Sequence, residues 1–565
     1  MKKIKYALAL AGLLTSGWCS AQQIVADSQP GLTKERIANM YMLCRVWGML
    51  KYFHPAVAQG KYDWDAELFK ELPRVNSNKL EFNVELTRWI RSLGPVSSCG
   101  SCNATITDTL LKHNSWIDNG ALFNKENNAL LRQVIINRNT GKNKYVSISE
   151  AYHNPDFSGE EPYAILPNIS LNFRLLALFR FWNMVEYYFP YKNLIGEDWD
   201  KALLTMIPEF VQAETSLDYK LAVWRMTGRI HDTHANLYSN FSDREMLNFM
   251  GGERQLPVMI HRIEGQYVVA GLRDSINYPQ LKLGDIILKV DGESIEERAD
   301  KLLPYACASN QVTAYRVVGL NLPRGKKDTI TLEIRRNKQT LELKLPSLDR
   351  KAFNDIMMQN TPNARQQLPY RLLSPQVGYV RFDLTSNDFA KAMFEQFKTT
   401  KGIVMDLRYY PALSVKFILR KYLSDKAVPF AKFRYTATDH PGLYIDEKVQ
   451  EFGTSNKDLY RGKIVVLVNE ESQSAAEFTA MALRAIGHAT IMGSQTAGAD
   501  GDVSMIRLPG GLLTYFSGIG VYYPDGKGTQ RIGIVPDIVF KPTIKGLSAG
   551  HDELLEKAIA LISMD

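Results

Sequence analysis

Cysteine is scarce, five among 565 residues, too few for the dense disulfide framework that staples small exported domains. Beyond residue 21 no stretch approaches the roughly 20 apolar residues that a membrane-spanning helix needs, which argues against a permanent span. No dense basic run is present either. The 68 Lys and Arg against 60 Asp and Glu are spread along the chain, so a nucleic-acid or anionic-membrane patch is not expected. At 45% hydrophobic and 23% charged residues, neither disorder nor a fibrous class fits. What the chain does have is length. A single hydrophobic core stops growing near about 250 to 300 residues, so about three or four domains are expected.

Residues 1–21 open with Lys2, Lys3 and Lys5, run apolar over 6–14 and close on Cys19-Ser20-Ala21, the pattern of a secretory signal peptide. Lipoprotein processing at Cys19 is the competing fate, and the bulky Trp18 before it stands against that. Removing the leader lowers the formal charge by three, from +8 to +5. The mature protein is expected to be exported, periplasmic or secreted. Of the remaining cysteines, Cys99 and Cys102 have the spacing of a redox motif. They lack a strand-then-helix context, and no second pair completes a zinc site. A small disulfide or two free thiols is favoured over redox catalysis.

The chain repeats itself at an offset of 135 residues. Leu43, Arg45, Trp47, Met49, Tyr52 and Pro55 recur as Leu178, Arg180, Trp182, Met184, Tyr187 and Pro190. Asp63-Trp64-Asp65 recurs as Asp198-Trp199-Asp200, and Trp89 as Trp224. Tryptophan is rare, so three pairs at one offset indicate a duplicated helical unit, with Met40, Leu43, Trp47 and Leu50 on one face of its first helix. Residues 22–165 are read as a degenerate N-terminal repeat and 166–249 as a second repeat packed on the core. The copies differ at their exits. The second ends in Ile230-His231-Asp232-Thr233-His234-Ala235, whereas the counterpart of His234 in the first is Cys99.

Over 250–348 short apolar runs alternate, predicting a small β-rich domain. Its segment 281–292, Leu-Lys-Leu-Gly-Asp-Ile-Ile-Leu-Lys-Val-Asp-Gly, resembles the central stretch of a PDZ domain, which binds an extended peptide as an added strand. The loop before 257–260 lacks the glycine-rich form that would hold a peptide carboxylate, so a structural or gating module is the alternative. From 349 to 565 strands and helices alternate: strands at 377–382, 402–407, 463–468 and 489–492, helices at 388–397, 413–423 and from 474 to a C-cap at Gly487. Ser474 therefore sits where a strand gives way to a helix, beside unpaired helix N–H groups that could receive an oxyanion.

The stretch Asn469-Glu470-Glu471-Ser472-Gln473-Ser474-Ala475-Ala476-Glu477-Phe478, followed by Ile491-Met492-Gly493-Ser494-Gln495-Thr496-Ala497-Gly498, resembles the nucleophile region of the carboxyl-terminal processing (tail-specific) protease and tricorn core family of serine peptidases. The likeness extends to residues 402–408 and 533–538. It implies an α/β multidomain fold, with a ClpP- or crotonase-like catalytic core, an inserted PDZ domain and an N-terminal helical domain. It also implies Ser474 as nucleophile and no cofactor or metal. The lysine base of the processing branch would fall at position 499, which is Ala499. The tricorn branch uses a histidine before the PDZ module, in a motif similar to Asp232-Thr233-His234-Ala235, which makes His234 the expected base and His231 the fallback. The orienting glutamate of that branch corresponds to Gln530, whose amide can fix a tautomer but carries no charge, so Asp500 or Asp502 is a candidate for supplying one. The expected oxyanion donors are the N–H of Ala475 and, after Arg408, that of Ala412.

The reading is an exported serine endopeptidase acting on polypeptides through an acyl-enzyme. Its alternative is a pseudo-peptidase that binds polypeptides through the PDZ module and cleft without turning them over. The sequence leaves the oligomeric state open.

Overall fold

In a computed structural model, residues 32–166, 169–238, 243–359, 369–382, 389–411, 415–456 and 459–564 are described; the expected leader lies outside them. The two repeats pack their long helices, Lys34–Phe53 and Leu171–Tyr188, into one core. Both helices are buried nearly all round rather than along one stripe, because each is covered by its own repeat and by the other copy. The duplication is visible atom by atom. The Trp47 and Trp64 indoles donate to each other's backbone carbonyls at 3.0 and 3.1 Å, and those of Trp182 and Trp199 do the same at 2.9 and 3.1 Å. Asp63 and Asp198 cap the helices Trp64–Glu71 and Trp199–Gln212 through their side chains, as short acidic residues do at helix starts. Across the pair, Arg45 bonds Asp200 at 2.5 Å and Arg180 bonds Asp65. These residues are the equivalents of one another, so the exchange is reciprocal, as a two-fold relation between repeats requires.

The β-rich module is an antiparallel sheet in the order Gln339–Pro346, Thr329–Arg336, Ile286–Val290, Gln266–Leu272, Val258–Ile263. The helix Gln311–Gly319 lies against the last of these strands. There is no room between them at Gly319, where an added Cβ would sit 2.2 Å from the Ile260 carbonyl oxygen.

The C-terminal sheet runs Tyr370–Ser374, Val377–Arg381, Gly402–Asp406, Lys463–Val468, Ala489–Gly493, Ile538–Val539, and all pairs but the first are parallel. Its central strands read as unbroken apolar runs because both faces are covered. Ile403, Met405, Ile464 and Val466 meet the helix Ala475–Ala485 on one side, while Val404, Val465 and Leu467 meet Glu553–Ser563 on the other. The sequence-based ranges hold to within one or two residues where described; residues 383–388 and 412–414 lie outside the described set. A hairpin, Val503–Leu508 paired with Leu512–Ser517, leaves this sheet and pairs with Tyr238 through Leu513. That contact ties the exit of the second repeat to the C-terminal part of the chain.

Candidate active site

The strand Lys463–Val468 and the helix Ala475–Ala485 are joined by a turn at the carboxyl end of the parallel sheet, the edge where open α/β sheets place their ligands. In that turn Ser472 is buried, accepting from the Asn469 N–H at 3.1 Å and donating to the Leu407 carbonyl at 2.8 Å. It is structural. Ser474 is half-buried and sits at φ 53°, ψ −116°, a strained conformation that a non-glycine residue keeps only when its surroundings over-determine it. They do so here. The Ser474 N–H donates to the Ala499 carbonyl at 3.0 Å and to Glu477 Oε2 at 3.2 Å. Glu477, fully buried, also accepts from Thr496 Oγ1 at 2.5 Å and from the N–H groups of Gly498 and Ala499 at 2.8 and 3.0 Å. Burial pushes its carboxyl up to about 7 against the downward pull of these four bonds. One carboxyl thus locks the serine turn to the loop 496–499. The Ser474 side chain and Glu477 form a capping box at the start of this helix; among the described residues the hydroxyl proton has no acceptor, and the Ala475 N–H beside it finds none.

The second repeat reaches the other side of that loop. Thr233 donates from Oγ1 to the Ala497 carbonyl at 3.2 Å and exchanges bonds with Ser309. His234 follows, its side chain 10% exposed. Its ring Nδ1 lies 2.8 Å from Ser517 Oγ and 3.6 Å from Asp232 Oδ1. Asp232, fully buried, accepts from the His234 N–H at 3.0 Å and from the Ser517 N–H at 2.6 Å. Burial pushes the imidazole down from its usual value against the nearby carboxylates of Asp232 and Asp502, which favours the neutral ring that a base needs. No hydrogen bond joins His234 to Ser474 among the described residues. His231 is in a different environment, near Arg531 and Glu197, where burial also lowers it.

Position 499 is a buried methyl packed on the serine turn, leaving no ammonium there. The expected orienter, Gln530, is buried, and neither its Oε1 nor its Nε2 is bonded to a described residue. The Nδ1 partner is Ser517 instead, a correction to the reading of Gln530. Arg408 is pinned by Asp406 and Asp552. Ala412, the second expected oxyanion donor, lies outside the described residues. Sequence reasoning missed Ser517, which no motif marks, and Glu477, which its place three residues after Ser474 could have flagged as a capping box. Among the described residues no group of His, Cys, Asp and Glu could hold a metal ion, and no helix is long and apolar enough to cross a membrane.

The chain that carries this turn is similar to known proteins. Residues 376–540 match peptidase family S41. It is 29% identical over 292 residues to the carboxy-terminal-processing protease of Bartonella bacilliformis, an alignment covering 48% of this chain and 57% of that protein. The chain therefore spans a little over half the length of that curated relative. Among solved structures it is similar to mature CPAF, with a TM-score of 0.54 at 15% identity over 70% of this chain and 98% of that one. The complex of mature CPAF with lactacystin gives 0.53 at 16% identity, covering 70% and 99%. At such identities the likeness speaks for the shared fold, a mixed α/β multidomain arrangement.

Proposed function

We propose that the protein is an exported serine endopeptidase that cleaves polypeptides through an acyl-enzyme on Ser474. The observation that carries this is the Ser474 backbone, strained and clamped by Glu477 at the start of a helix, with no described acceptor for its hydroxyl proton. In this scheme Ser474 Oγ attacks the scissile carbonyl and His234 Nε2 takes its proton. The carbonyl electron pair moves to oxygen, where the Ala475 N–H and the dipole of its helix receive it. As the tetrahedral intermediate collapses, the C–N bond breaks and His234 passes the proton to the leaving amine. The S41 domain supports a peptidase reading, and the leader pattern of residues 1–21 supports export. The Cys99–Cys102 disulfide is in keeping with an oxidising compartment.

The PDZ-like module supports the site structurally. Arg316 on its helix donates to the Glu470 carbonyl and to Gln473 Oε1, both at 2.9 Å, and His261 on its edge strand lies 3.3 Å from Glu470. Because Gly319 covers the edge strand at Ile260, that edge is closed to an added peptide strand there, which favours a supporting role over peptide-end capture. The test is a fluorophosphonate probe on the full mature chain. Labelling of the wild type that disappears in Ser474→Ala supports the proposal; a wild type that stays unlabelled from pH 5 to 9 sinks it.

A further inference from the structure

Gln530 has no charge to offer an imidazolium and no described bond to the ring, yet a general base needs its far nitrogen held. The structure assigns that duty to Ser517 and Asp232: Ser517 Oγ receives the Nδ1 proton of His234, and the Asp232 carboxylate behind both supplies the negative charge. This inference rests on His234 being the base.

Three observations carry it. The first is distance: Nδ1 to Ser517 Oγ is 2.8 Å and Nδ1 to Asp232 Oδ1 is 3.6 Å, so the hydroxyl takes the hydrogen bond and the carboxylate stands next in line. The second is the compensation of Asp232. A fully buried carboxylate costs several kcal/mol unless it is paired or hydrogen-bonded. Among the described residues its partners are two backbone N–H groups and the His234 ring; no Lys or Arg bridges it. Among the described residues the cation that can form against it is the imidazolium of His234. The third is rigidity. Ser517 ends the strand Leu512–Ser517, whose Leu513 exchanges backbone bonds of 2.7 and 2.9 Å with Tyr238, four residues after His234. The same short sheet therefore fixes the base and its orienter. The other groups near this pair are the exposed Asp502, just before the hairpin's first strand, and the buried Tyr191 and Cys307, both neutral and pushed further up by burial.

With Nδ1–H donated to Ser517, the Nε2 lone pair is left to accept the Ser474 proton. Asp232 and Ser517 are positioning residues; they act through His234.

Two readouts test this. The first is the rate of fluorophosphonate labelling against pH. Asp232→Asn is expected to slow the plateau rate about 100-fold or more and to move the acid limb to lower pH, because the ring loses the anion that favours its protonated form. Ser517→Ala is expected to slow the rate about 10-fold, with Ser517→Thr restoring most of it. The second is histidine NMR on the Ser474→Ala protein, where adding Asp232→Asn should lower the His234 titration midpoint by about one unit or more. Should Asp232→Asn fail to fold, Ser517→Ala decides alone, since it leaves both backbone bonds to Asp232 in place. If His234→Ala labels at the wild-type rate, the base assignment itself falls. If His234→Ala abolishes labelling while Asp232→Asn and Ser517→Ala stay within threefold of wild type with the acid limb unmoved, or if Gln530→Ala carries the loss instead, the base assignment stands and this inference is overturned.

Discussion

The two repeats share tryptophan locks, aspartate caps and a reciprocal pair of ion bridges, yet they end differently. The second delivers Thr233 and His234 to the loop 496–499 and the hairpin end at Ser517. The first ends in a disulfide between Cys99 and Cys102, whose surroundings belong to its own domain: the Cys99 N–H donates to Asn137 Oδ1 at 3.2 Å, and Ser101 Oγ lies 2.8 Å from Thr140. Duplicated helices thus give equivalent scaffolds, and what separates the histidine exit from the disulfide exit is the neighbour each one meets. Only the second exit reaches the parallel sheet's carboxyl edge, where a strained serine waits. The locks also differ in depth. Arg180 and Asp65 are both deeply buried, whereas the Asp200 side chain that pairs with Arg45 is 42% exposed.

The largest expected effect breaks the comparison at its exits. His234→Ala should lower turnover of an unfolded protein substrate by about 10²- to 10⁴-fold, the range for losing a general base, with the fold intact by circular dichroism. For the unmutated enzyme, the acid limb of kcat/KM should lie below pH 6.5, because burial depresses the ring. The same depression adds stability that is complete above the unfolded histidine's 6.5 and is lost as pH falls below it; urea titrations at pH 7.5 and 5 would show the difference shrinking in His234→Ala. Next comes depth. Arg180→Met leaves Asp65 and Glu160 buried with, among the described residues, Lys51 alone to balance them, and should cost about 3 to 5 kcal/mol. Arg45→Met, whose partner reaches water, should cost about 1 to 2 kcal/mol. Equal losses would mean that the two bridges are not distinguished by solvent.

Much of this is legible in the sequence. The duplication showed in three tryptophan pairs because large aromatic residues at one constant offset have no local explanation. The parallel strands showed as unbroken apolar runs, and Ser474 showed because a strand signal ends and a helix signal begins around it. The partner of His234 was not legible. Ser517 lies 283 positions away and ends a strand like any other polar residue, so only the closing of the hairpin onto Tyr238 brings it to the ring. Gln530 was put forward by correspondence with a motif, and that correspondence does not say whether an amide still meets the ring once its charge is gone. The all-round burial of Lys34–Phe53 was hidden for a similar reason. A one-face pattern was expected, and the second copy covers the rest.

The smallest expected effect tests the first exit. Replacing both cysteines, Cys99→Ser with Cys102→Ser, opens a loop of four residues, for which the chain-entropy relation gives about 2 kcal/mol at most. The backbone bond from Cys99 to Asn137 and the Ser101–Thr140 contact do not depend on the sulfurs, so the segment has other anchors and the measured loss in urea should fall below that bound. Labelling of Ser474 by a fluorophosphonate should stay within twofold of wild type. One route could make it otherwise: Arg138, whose carbonyl lies 3.9 Å from the Cys102 sulfur, donates to the Asp439 carbonyl at 2.8 Å in the C-terminal part of the chain. A tenfold fall in labelling on opening the clip, reproduced by Arg138→Ala with the disulfide intact, would show that the first exit also bears on the catalytic half, through the arginine rather than through a side chain at the site.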